Sequence, residues 1–133
     1  MLPALDDLLE GFSHYAARRK CEAVSDARAV AAALREAAKL SQRNEPDEPG
    51  ALFYALARRP RAFGALHGDM LVLLAAEQAR AVGLELGFVP VELDIHVIRI
   101  LRNEMTFLEL RGWFAARLTP IKRRPWPPKK RQR

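Results

Sequence analysis

The chain has 133 residues, of which 22 are Lys or Arg, 16 are Asp or Glu and one is Cys. That length holds one ordinary domain, and 50% apolar with 29% charged residues excludes collagen-like and wholly disordered classes. A lone Cys21 excludes an internal disulfide framework and favours a reducing compartment, while no apolar run approaches the roughly 18 residues of a membrane span.

The N-terminus, with Asp6, Asp7 and Glu10, has no signal-peptide pattern. The spacing of Leu5, Leu8, Leu9, Phe12, Tyr15 and Ala16 predicts a helix over residues 4–20 with one apolar face. Its early acids and the late Arg18, Arg19 and Lys20 suit the helix dipole. Ser25 and Asp26 are cap residues for a second helix to Arg43, with Val30, Ala33, Leu34, Ala37 and Leu40 inward. Residues 44–50, with two prolines, three acids and a glycine, read as a loop. A short helix is expected over 50–58, stopped by Pro60, then an irregular segment bounded by Gly64 and Gly68. Asp69 then caps a helix to Leu86 that is apolar all round in its first half, the pattern of a central buried helix.

Residues 91–103 carry two periodicities. Val91, Leu93, Ile95 and Val97 alternate with Glu92, Asp94 and His96, as in a strand. Glu92, His96, Arg99 and Asn103 instead form one polar stripe on an otherwise apolar helix, and thirteen residues exceed an ordinary strand. Helix is the favoured reading, and that stripe is expected to face solvent or a partner. Thr106 with Glu109 forms a capping box and Met105 with Leu110 a hydrophobic staple, opening a helix to Leu118. Its small residues Gly112, Ala115 and Ala116 form a candidate packing interface for another helix. The fold class expected is all-α, a bundle of five or six helices, becoming α+β if 91–101 is a strand.

The last segment, 119–133, holds Lys122, Arg123, Arg124, Lys129, Lys130, Arg131 and Arg133 and no acid. This leaves 15 bases against 16 acids over residues 1–118, so the net charge of +6 belongs to the tail. Four prolines there prevent one continuous helix. The tail is expected to be flexible, its cations neutralising phosphates and Trp126 stacking on an unpaired base.

No chemistry-bearing spacing stands out elsewhere. His14, His67 and His96 are too far apart for a metal motif, so neither metal nor cofactor is expected. A pairing of His14 with Cys21 is weaker than a surface histidine and a small buried thiol. The acids at 6–7 and 45–48 sit where solvated carboxylates belong. Arg58, Arg59, Arg61 and His67 are a candidate anion site, since the loop before Asp69 leads to a helix N-terminus. Residues Glu48-Pro49-Gly50 through Ala55-Leu56-Ala57-Arg58, then Pro60-Arg61 and Phe63-Gly64, are similar to a segment upstream of the active site in death-on-curing toxins of the Fic type. The family's His-Pro-Phe...Gly-Asn loop does not follow, and the resemblance implies no catalytic residue.

The residues thus point to a non-enzymatic interaction module. Its helix 106–118 would bind a partner protein or a second copy, and its tail would bind nucleic acid without sequence preference. The alternatives are a small enzyme or toxin-like domain built on Arg58, Arg59, Arg61, His67 and Asp69, or a structural subunit of a larger assembly. No membrane association is expected, and the location would be cytoplasmic, or nuclear in a eukaryotic or viral setting.

Overall fold

A computed structural model describes residues 1–88 and 90–121. Within them six helices run in the order α1 (Leu5–Arg18), α2 (Ala27–Ser41), α3 (Glu48–Ala57), α4 (His67–Ala81), α5 (Pro90–Leu101) and α6 (Phe107–Arg117). Two three-residue strands, β1 (Leu84–Leu86) and β2 (Leu118–Pro120), pair antiparallel. The helical bundle expected from the periodicities is therefore the fold, with one small sheet added. None of these helices is long and apolar enough to cross a membrane.

Local chemistry sets most of the boundaries. Asp26 caps α2, its side chain accepting from the backbone N–H groups of Arg28 and Ala29, both at 3.1 Å. The helix stops at Ser41 rather than Arg43 because Gln42 and Arg43 take left-handed backbone angles, φ 50° and 66°. Thr106 and Glu109 make the expected capping box reciprocally, at 2.9 and 3.2 Å, and Met105 and Leu110 both lie in the core.

The centre of the bundle is α3, not α4, and α4 begins at His67 with Asp69 in its first turn instead of being capped by it. Every residue of α3 except Tyr54 is buried, whereas Val72, Leu73 and Leu74 of α4 are only half-buried. Small residues explain the exchange: Gly50, Ala51, Ala55 and Ala57 let neighbouring helices approach on every side. A Cβ at Gly50 would stand 3.3 Å from Cγ of Phe114, so α6 lies directly on α3 there. The loop expected over 44–50 is correspondingly shorter. Residues 45–47 form one tight turn, and Glu48-Pro49-Gly50 is already the first turn of α3, where proline needs no N–H partner. Phe12 on Phe63, 4.9 Å between ring centroids, and Phe53 near Phe114, 5.8 Å, fill the core on either side.

Two further expectations are corrected after α4. The helix ends at Ala81, not Leu86, because Gly83 turns the chain with φ +81° into β1. Leu84, Glu85 and Leu86 pair with Pro120, Thr119 and Leu118, and the N–H of Ile121 donates to the Gly83 carbonyl at 3.2 Å. A tail boundary at 118/119 therefore falls inside a strand. Pro120, without an N–H, is tolerated in so short a two-stranded pairing. Segment 91–101 is helical, and the α+β alternative resting on a strand there is not adopted.

Candidate functional site

The residues singled out from the sequence fall into three groups. Lys122, Arg123, Arg124, Trp126, Lys129, Lys130, Arg131 and Arg133 lie outside the described residues. What is described is their point of departure, since β2 fixes Ile121 beside Gly83.

The candidate anion cluster is already committed internally. Glu36 of α2 pairs with Arg58 and, at 2.6 Å, with Arg59, whose guanidinium also donates to the Ala55 carbonyl at 2.8 Å. The Nε2 of buried His67 donates to the Leu56 carbonyl at 3.0 Å, and Nδ1 has no hydrogen-bond partner among the described residues. Burial holds the pKa of this ring below its usual value, which the Leu56 bond partly offsets. Asp69 accepts from Arg19 and from the Tyr15 hydroxyl, each at 3.3 Å. Of the cluster's three arginines, Arg61 alone is in no ion pair with a described residue, and it is exposed. Glu36 was not foreseen, because no spacing in the sequence relates it to Arg58.

His14 and Cys21 are both exposed, so the thiol is not the buried one expected. Its Sγ contacts the Arg19 carbonyl at 3.5 Å. Among the described residues no group of three His, Cys, Asp or Glu side chains could hold a metal ion. A groove of about 400 Å³ runs between α1 and α4, lined by Leu8, Phe12, Tyr15, Met70 and Leu73 among others. At one end of it a polar knot, buried at Glu48 and Gln78 and exposed at Met1, ties the N-terminus to α3 and α4. Glu48 accepts from Gln78 and from the Met1 ammonium, each at 2.9 Å, and Gln78 also donates to the Met1 carbonyl at 3.0 Å.

The third group is the pair α5 and α6. Two residues of the polar stripe expected outside, Glu92 and His96, face α6, while Arg99 donates to the Glu104 carbonyl at 3.1 Å and Asn103 is exposed past the end of α5. His96 is buried edge to face against Trp113, and Glu92 pairs with Arg117 at 3.1 Å while Arg117 lies 4.3 Å over the Trp113 ring. Leu93 and Ile100 point into the core on the same side. What α5 turns to solvent is apolar: Val91 is 56% exposed, Ile95 49%, Ile98 52% and Leu101 47%. The spacing 91, 95, 98 and 101 is itself a helical face, but the sequence also supplies the inward apolar face, and periodicity alone does not choose between them. On α6, Gly112, Ala115 and Ala116 are exposed beside Leu108, and a Cβ at Gly112 would meet nothing within 4 Å. The structure thus presents an apolar helical surface on α5 and a small-residue surface on α6.

Family models, curated proteins and solved structures each yield no match to this chain.

Proposed function

We propose that this chain is a non-enzymatic helical interaction module whose basic C-terminal segment holds nucleic acid by charge, in the cytoplasm. The observation that carries the reading is α5, which turns Glu92 and His96 to an internal seam and leaves Val91, Ile95, Ile98 and Leu101 in water. A row of four half-exposed large apolar side chains on one helical face is the kind of contiguous patch that protein-docking surfaces use. The nucleic-acid half rests on seven bases and no acid over residues 119–133 attached to a body near neutrality.

An enzyme built on the cluster after α3 has less support, because Glu36 occupies Arg58 and Arg59 and His67 is turned to a backbone carbonyl. The exposed Gly112, Ala115 and Ala116 favour a second reading, a structural subunit seated against another helix.

Binding of the full chain to single- and double-stranded nucleic acid across a salt series tests the proposal. Affinity should fall with salt, the log–log slope reaching at most about −6 if all seven bases meet duplex phosphates. A full-length variant with those seven bases changed to glutamine should not bind. Salt-independent binding, or binding unaffected by the seven changes, would sink the nucleic-acid half.

A further inference from the structure

We infer that the exposed face of α5 pairs with the same face of a second copy, antiparallel, about a twofold axis passing beside Ile98. This deepens the interaction-module reading and rests on its protein-docking half. The argument is the internal symmetry of the face. Ile98 lies midway between Ile95 and Leu101, and also midway between Asp94 and Arg102, both of which are exposed. On a helical wheel these residues and Val91 fall within one arc of about 120°, at 100° per residue. An antiparallel twofold at Ile98 therefore sets Ile98 against itself and Ile95 against Leu101 of the second copy. The same operation brings Asp94 level with Arg102 of the second copy, twice.

A parallel pairing would instead leave Asp94 level with Asp94 and Arg102 level with Arg102, like charges at each end. Charge therefore selects both the partner and the direction: the face complements itself only when reversed. The inward stripe has no such property, since Glu92 and Arg117 already pair within one chain. Four half-exposed side chains supply a few hundred Å² per copy, less than the roughly 800 Å² of a standard interface. The association is consequently weak and depends on concentration.

The test is sedimentation equilibrium of the full chain, freed of nucleic acid with nuclease, over a wide concentration range at about 0.15 M salt. The apparent mass should rise from 15.0 kDa toward twice that value. Ile98→Lys should weaken association by more than about thirtyfold, because it removes the apolar contact at the axis and sets two cations face to face. Asp94→Arg alone and Arg102→Asp alone should each weaken it by roughly three- to tenfold, and the double reversal should restore it to within about twofold. Circular dichroism checks that each variant remains helical. In a Cys21→Ser background, Ile98→Cys should form a disulfide-linked dimer on oxidation.

A chain that stays monomeric at every concentration overturns the pairing and leaves α5 to a foreign partner. A dimer that survives Ile98→Lys, or a double reversal that rescues nothing, overturns it as well. Salt-sensitive binding of nucleic acid, measured on the same preparations, decides the tail's part of the broader reading independently of these results.

Discussion

His96 meets Trp113 edge to face with ring centroids 4.7 Å apart, and neither ring nitrogen of His96 has a hydrogen-bond partner among the described residues. An imidazole held this way is treated as an aromatic ring and not as a polar group. Burial lowers its pKa first, Arg99 and then Arg117 add to the effect, and Glu92 opposes them.

The consequence is a dependence of stability on acid. A histidine whose folded pKa lies below the unfolded value near 6.5 binds fewer protons folded than unfolded, so stability rises with pH through that range. Stability should therefore be greatest near neutrality, fall as pH drops below about 6.5, and level off once the folded rings also protonate. His67 contributes with the same sign. His96→Phe keeps the ring contact and removes two unpaired polar atoms. It should raise stability at pH 7 by about 1 kcal/mol and flatten part of the acid slope. Urea unfolding at several pH values measures both; an unchanged slope in the variant would refute the assignment to His96.

At the alkaline end the polar knot acts with opposite sign. The Met1 ammonium has its pKa raised above 8.0, chiefly by its bond to Glu48, with desolvation opposing. A raised cationic pKa contributes stability that is complete below the unfolded value and is lost as pH rises through the folded one. Thermal unfolding should thus weaken above about pH 8. Glu48→Gln keeps an oxygen to accept from Gln78 while removing the charge, so the variant should lose the larger part of that alkaline dependence, the remainder coming from Glu45 at 3.2 Å from the ammonium. Retention of the full dependence would mean that another group causes it.

Backbone geometry supplies a third prediction. Gly64 has φ +55°, and a Cβ there would lie 3.1 Å from the Val24 carbonyl oxygen, a backbone atom that cannot rotate away. Gly64→Ala should destabilise by about 1–3 kcal/mol. Gly68 lies in the first turn of α4 with nothing within 4 Å of such a Cβ. Gly68→Ala should be neutral or stabilising by up to about 1 kcal/mol. The denaturant midpoint should therefore fall for Gly64→Ala and stay or rise for Gly68→Ala.

Features written in adjacent residues were legible without the structure. Asp26 before α2, Thr106 with Glu109 before α6, and the apolar spacing of α1 each specify hydrogen bonds or a buried face within a few residues. The candidate anion cluster was legible as composition, but its internal pairing was not, because Arg58 and Arg59 share Glu36, a residue 22 positions before Arg58.

What the sequence determined by itself is the helical class, the caps of α2 and α6 and the concentration of positive charge after residue 118. Only the tertiary structure decided that Glu48–Ala57 is the central helix, that Leu84–Leu86 pairs with Leu118–Pro120, and which face of α5 meets water. The physical reason is the same in each case. Strands of three residues are too short to show a period, and their pairing depends on chain segments far apart in sequence. A helix with apolar residues on two sides can bury either one until its neighbours are in place. Here the neighbours were Trp113 and Arg117, which drew His96 and Glu92 inward and left Ile95 and Ile98 outside.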